Sequence, residues 1–140
     1  MNEQTKAIIK STAPILKKHG EEITQTMYKI LFTMHPEAQA LFKNASADQY
    51  KKLALMVYAY AANIDNLGSL QKGIDNVAHI HVNTQVLPEH YPWVGEALLT
   101  AIKEVLAEAA TDEVLNAWEE AYGFLAKVFI TREEEIYTKA

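Results

Sequence analysis

The chain has 140 residues, 49% hydrophobic and 22% charged, with a net charge of -5 and a pI of about 5.5. That composition suits one soluble globular domain of ordinary size and excludes a disordered tail. The acidic balance argues against a nucleic-acid surface, which needs clustered lysine and arginine. With no cysteine, disulfides, thiolate metal sites, iron–sulfur clusters and cysteine nucleophiles are excluded. The opening MNEQTKAIIKSTAP has no apolar run behind a basic segment, so no signal peptide is expected. The longest apolar stretch, residues 53–62, is too short and tyrosine-rich to span a bilayer, and a cytoplasmic location is the expectation.

Apolar spacing is helical throughout, and no segment alternates as a strand would. A first helix is predicted over residues 4–19, with Ile8, Ile9, Thr12, Ile15 and Leu16 on one face. Pro14 is expected to kink it and Gly20 to cap its C-terminus. A second helix over 21–34 carries Ile23, Met27, Ile30, Leu31 and Met34, with Glu21 and Glu22 at its positive end. Pro36 starts a short helix that ends near Phe42, and residues 43–47 form a loop. Ser46 and Gln49 read as a capping-box pair opening a helix that runs to about Leu67. Gln49, Leu53, Val57, Tyr60 and Ile64 share one of its faces.

After a break at Gly68-Ser69, a helix over 70–83 places Leu70, Ile74, Val77 and His81 on one side. Residues 86–90 make a corner. A helix over 90–109 carries Val94, Leu98, Ile102 and Val105. A last helix, capped by Thr111, runs through Leu115, Trp118, Tyr122, Leu125 and Phe129 to Ile136 or beyond. The expectation is an all-α domain of six main helices and one short one, spanning 1–140.

Three polar residues stand where the pattern predicts core. His81 follows Val77 by one turn and points with it, whereas His79 is about 200° away around the same helix. Glu133 lies between Phe129 and Ile136 on the inward stripe of the last helix. A buried carboxylate needs a partner, and an imidazole N–H is a natural one. Gln49 begins an otherwise apolar face. Each has an ordinary reading. A lone histidine on an apolar face is more often satisfied by a backbone carbonyl. Glu133 could reach water along its stem. The capping role accounts for Gln49, and Tyr28, Tyr58, Tyr60, Tyr91 and Tyr122 read as amphipathic core residues.

Other chemistry finds no support. No Glu is followed three residues later by His, as a di-iron bundle requires. Zinc signatures, a phosphate-binding loop and a Gly-x-Ser-x-Gly elbow are absent as well. The rival from another class is a helical interaction domain without a cofactor.

In order, the motifs carry a resemblance. Ile8-Ile9-Lys10-Ser11-Thr12-Ala13-Pro14-Ile15-Leu16-Lys17-Lys18-His19-Gly20 opens the chain. Tyr28-Lys29-Ile30-Leu31-Phe32, His35-Pro36-Glu37 and Leu41-Phe42 follow. Then come His81, His90-Tyr91-Pro92-x-Val94-Gly95, Ala117-Trp118 and Ala121-Tyr122-Gly123. Over nearly its whole length the chain resembles the bacterial single-domain haemoglobins and the N-terminal globin domain of flavohaemoglobins.

The resemblance implies a globin fold around haem b, held without a covalent link because cysteine is absent. It implies that His81 is the proximal iron ligand, with Tyr91 and Glu133 hydrogen-bonding it. It places Phe42 on the haem face, Tyr28, Gln49 and Leu53 on the distal side, and Val77, Val86, Val94 and Phe129 in the apolar wall. Tyr28 and Gln49 would meet the gas, while Tyr91 and Glu133 would tune the ligand. The implied function is reversible dioxygen binding at a pentacoordinate iron and conversion of nitric oxide to nitrate. Oxygen storage, delivery or gas sensing is the alternative. No flavin or nicotinamide domain is expected after the globin helices, so a separate reductase is the expected electron donor, with a monomer or homodimer as the assembly. Two features depart from the family pattern: the loop over 43–48 is short, and Tyr50 stands where many relatives have proline.

Overall fold

Asn2 starts the first helix by accepting a hydrogen bond from the Thr5 backbone N–H at 2.8 Å. A computed structural model describes residues 1–43, 45 and 47–139. Five α-helices are present among them: α1 (Glu3–Met34), α2 (Gln49–Ala62), α3 (Gln71–Asn83), α4 (His90–Leu106) and α5 (Asp112–Lys139). Short 3-10 segments occupy Pro36–Phe42, Leu67–Leu70 and Ala107–Ala109. No strand occurs among the described residues, and no helix there is long and apolar enough to cross a membrane.

The two helices predicted over 4–34 are one. Pro14 lies exposed within it, and Gly20 is an interior residue rather than a C-cap. The buried stripe stays in phase across the glycine, through Thr12, Ala13, Leu16, Gly20, Ile23, Thr24, Met27 and Leu31. That phase decides the matter. A helical glycine costs about 1 kcal/mol, far less than the burial lost if the stripe ended there.

The helix predicted to reach Leu67 ends at Ala62. Asn63 stops it: both its backbone N–H, at 3.0 Å, and its side-chain Nδ2, at 2.9 Å, donate to the Ala59 carbonyl. Gln49 opens α2 with Asp48 at the N-cap, so it does not stand three residues inside the helix. Ser46, its expected capping partner, lies outside the described residues. Thr111 does cap α5, its Oγ1 accepting from Val114 N–H at 3.2 Å.

α1 packs on α2, α4 and α5, while α3 packs on α5. The main core centres on Ile9, Ile23, Met27, Leu31, Ile64 and Ile102. A smaller one gathers Ile74, Ala78, Tyr91, Ala126 and Phe129. Half-buried Leu70, Tyr122 and Leu125 touch both.

Buried polar groups tie the helices together. Trp118 Nε1 donates to Thr12 Oγ1 at 3.2 Å, and Thr12 donates to the Ile9 carbonyl. Thr24 donates to the Tyr50 carbonyl at 2.7 Å. The Tyr60 and Tyr122 hydroxyls donate at 2.7 Å to the carbonyls of Ala121 and Tyr91. Where Tyr122 crosses α4, a Cβ on Gly95 would sit 2.7 Å from the ring.

The packing ranks two glycine substitutions. Gly95→Ala should lower stability by about 1–2 kcal/mol, because the ring it strikes is held by its own hydroxyl. Gly20→Ala should be neutral or stabilising, since its Cβ would meet Ala54 at an ordinary 3.5 Å. Urea midpoints of the two variants compare them directly, and equal shifts would contradict the packing.

The buried tyrosine hydroxyls set the response to alkali. Burial holds the Tyr60 and Tyr122 hydroxyls above the ordinary tyrosine value of 10.0. The unfolded chain therefore releases these protons first, and stability falls as pH rises past about 10. Tyr60→Phe should lose stability at pH 7, through the lost hydrogen bond, yet show a shallower decline above pH 10. Unfolding free energies measured across that range provide the check.

Candidate functional site

His81 stands in the last turn of α3. Its Nδ1 lies 2.8 Å from Glu133 Oε2 and 3.0 Å from the Tyr91 hydroxyl. That hydroxyl is 2.8 Å from each Glu133 oxygen. A carboxylate only accepts, so the Tyr91 O–H and the His81 Nδ1–H both donate to it. This places a ring proton on Nδ1, so that the neutral ring presents its lone pair at Nε2. Glu133 is 3% exposed, which rules out the reading that it reaches water. Phe129, one turn earlier, packs its ring 5.4 Å from that of His81.

Three elements converge here: the end of α3, the first turn of α4 and the C-terminal half of α5. The Tyr91 hydroxyl is raised above its ordinary value first by burial, then by the hydrogen bond and charge of Glu133. Its backbone is held in turn, because its carbonyl accepts from Tyr122. His79 is exposed, and its Nδ1 turns to the Asp75 carbonyl of its own helix at 2.8 Å. His90 Nδ1 accepts from the Leu87 N–H at 2.9 Å.

A second group forms where α1 meets the segment Pro36–Phe42. The Tyr28 ring packs edge-on to Phe42 at 5.2 Å and lies 5.8 Å from Phe32. Burial pushes the Tyr28 hydroxyl up to about 12, with a side-chain hydrogen bond to Gln49 acting the other way. The phenol therefore keeps its proton across neutral pH. Leu53 follows Gln49 by one turn of α2 and is half-buried. Phe42, Leu53 and Val94 border the main core, while Val77 and Val86 border the smaller one.

Sequence reasoning did not single out Phe32, Gly95 or Tyr122 as supports of these groups. The small residue at 95, one helical turn after Tyr91, was the available signal.

The donor set fits a haem. One imidazole offers a lone pair with its other nitrogen anchored, and the neighbouring side chains are half-buried and apolar. Among the described residues no group of three His, Asp or Glu could hold a bare metal ion. A shallow groove on α5, lined in part by Phe124, Lys127 and Thr131, shares no residue with these groups.

Comparison with known proteins agrees with this architecture. The globin family model matches residues 25–129. A flavohemoprotein of Rhizobium meliloti is 47% identical over 143 residues, covering 100% of this chain and 36% of the relative, so the chain spans about a third of that protein. The bacterial globin of Campylobacter jejuni superposes with a TM-score of 0.90 at 42% identity, covering 98% and 99% of the two chains. An engineered carbene transferase, made from a candidate nitric oxide dioxygenase of Rhodothermus marinus, superposes at 0.94 with 41% identity, covering 99% and 96%. The chain belongs to the globin family.

Proposed function

We propose that this globin binds haem b through His81 Nε2, takes up dioxygen reversibly, and converts nitric oxide to nitrate with electrons from a reductase. The observation that carries the reading is the anchoring of His81 Nδ1 by Glu133 and Tyr91 at 2.8 and 3.0 Å. His81 Nε2 would hold the haem iron, and the haem would supply the gas-binding and redox chemistry. In the net reaction nitric oxide, dioxygen and one electron give nitrate. The names of the relatives, a flavohemoprotein and a protein derived from a candidate nitric oxide dioxygenase, support the direction of this assignment.

The residues have separable tasks. Glu133 holds the Nδ1 proton, which makes the ring a stronger electron donor through Nε2. Tyr91 gives the carboxylate its second donor and so holds it in place against the ring. Tyr28, protonated across neutral pH, donates to a gas that carries partial negative charge, with Gln49 assisting. Such a bond contributes about 1–3 kcal/mol and slows release of the gas. Phe42, Leu53, Val77, Val86, Val94 and Phe129 exclude water from the macrocycle.

Titration of the protein with haemin should give a Soret band at one equivalent. His81→Gly should lose the axial ligand, and added imidazole should restore the spectrum. A colourless protein under these conditions would return the chain to the cofactor-free interaction class. With haem bound, nitric oxide added to the oxygenated protein should yield stoichiometric nitrate, and its absence would leave oxygen binding alone.

The two sides should also separate kinetically. Tyr28→Phe should raise the oxygen dissociation rate at least severalfold while leaving the ferrous iron–histidine stretch in place. Glu133→Gln should do the reverse, lowering that stretch in the resonance Raman spectrum. Stopped-flow and Raman measurements on both variants test the division of labour, and an effect of each on both readouts would refute it.

A further inference from the structure

Trp93 takes no part in the groups above, yet it is held between two histidines. The His35 ring stacks on its indole with centroids 4.4 Å apart and planes 8° from parallel. The His90 ring packs against it at 5.0 Å and a tilt of 56°. Near-parallel stacking of two unlike rings far apart in sequence is specific contact, unlike the loose packing of an exposed side chain.

Each histidine is itself fixed. His35 is the residue at which α1 ends: its N–H donates to the Leu31 carbonyl at 2.8 Å and its carbonyl accepts from Ala38 N–H at 2.9 Å. Its Nδ1 lies 3.5 Å from Glu37. His90 is fixed at the corner, because its Nδ1 accepts from Leu87 N–H at 2.9 Å and its own N–H donates to the Leu87 carbonyl at 3.0 Å.

A continuous path of contacts results. It runs from the corner at Leu87 through His90, Trp93 and His35 into the segment Pro36–Phe42, and ends where Phe42 meets Tyr28. One end of the path adjoins Val86, whose N–H donates to the His81 carbonyl at 2.9 Å, and Tyr91. The other end carries the Phe42 ring. The segment that carries Phe42 is a single 3-10 stretch with only Ala38 buried. With so little burial of its own, it depends on tethers at its ends.

We propose that Trp93 is a clasp, stacked between His35 and His90, that fastens the arm carrying Phe42 to the corner beside His81 and thereby sets how fast a bound macrocycle leaves the pocket. The inference rests on the haem reading. Its mechanical half, the coupling of arm and corner, belongs to the polypeptide with or without haem. Trp93 and His35 are positioning residues here, because neither is placed against the cofactor.

The test has two readouts. In amide hydrogen exchange on the protein as purified, His35→Ala should speed exchange of the Leu87 N–H about three- to tenfold. That is the ratio an ordinary aromatic pair carries, and His35 does not itself bond to that amide. Trp93→Leu should speed both the Leu87 and the Ala38 amides, and the double variant should add little to either single one. Trp93→Phe, which keeps a stacking ring, should recover most of the protection.

In the haem-loaded protein the same variants should raise the rate of haem transfer to excess apomyoglobin by a similar factor. The ferrous iron–histidine stretch should stay unchanged, because Glu133 and Tyr91 still hold His81. Independent, additive exchange at Leu87 and Ala38 would overturn the clasp whether or not the protein binds haem. Coupled exchange with an unaltered rate of haem loss would overturn its control of release. Failure of the wild-type protein to bind haem would overturn the functional reading and the release role together, and the exchange data would still decide the coupling.

Discussion

A carboxylate buried to 3% exposure cannot stand unpaired, and the site is arranged around that constraint. Glu133 finds its donors on two other helices, the His81 Nδ1–H at the end of α3 and the Tyr91 O–H in the first turn of α4. Their separation in sequence is 52 and 42 residues, so only the assembled fold can bring them together. Each donor has to lie near 2.8 Å, because losing one leaves a buried acceptor short of a partner at a cost of about 1–3 kcal/mol or more. The requirement thus fixes the relative register of three helices. It also fixes the tautomer and plane of the one imidazole whose other nitrogen is left with a lone pair.

Rigidity behind that centre is inherited from packing. The Tyr91 hydroxyl can hold its place only if its backbone does, and the Tyr122 hydroxyl grips that backbone at the carbonyl. Tyr122 reaches it by lying directly over Gly95, one turn further along α4. α5 makes two further contacts, one to α3 and one to the corner that follows it. Arg132 pairs with Asp75 at 3.0 Å, a half-exposed contact of modest strength. The Tyr137 hydroxyl donates to the Val86 carbonyl at the corner. Glu133, placed between these two, therefore acts on a segment whose backbone is already braced.

Much of this was legible in the sequence because helical phase is a local property. The angle between His81 and His79 separated an inward ring from one bonded to its own helix, as the structure shows. What phase could not show was the partner. Glu133 on an inward stripe is compatible with a route to water or with a buried acceptor, and Tyr91, 42 residues away, settles which. By pattern alone Gln49 read as a capping-box residue, and only the family resemblance put it with Tyr28, which its side chain engages from α2. The misplaced boundaries have the same origin. Gly20 has the local character of a stop, but a stripe buried on both sides of it carries the helix through. Asn63 is a local stop signal masked by the apolar residues that continue beyond it to Leu67.

The two sides of the site differ in kind, and the difference has a physical origin. On the His81 side a buried anion orients the ring, and the geometry is enforced by the cost of leaving charge unpaired. On the Tyr28 side, burial and a neutral amide act on the hydroxyl. Burial disfavours the phenolate and keeps the hydroxyl a neutral donor, and its position rests on the neutral Gln49 side chain and on ring packing, stacked against Phe32 and edge-on to Phe42. Ring packing tolerates displacement of a few tenths of an ångström far better than a charged hydrogen bond does. The Tyr28 side is therefore the more compliant of the two, and small substitutions there can move a donor without disturbing the anchored imidazole.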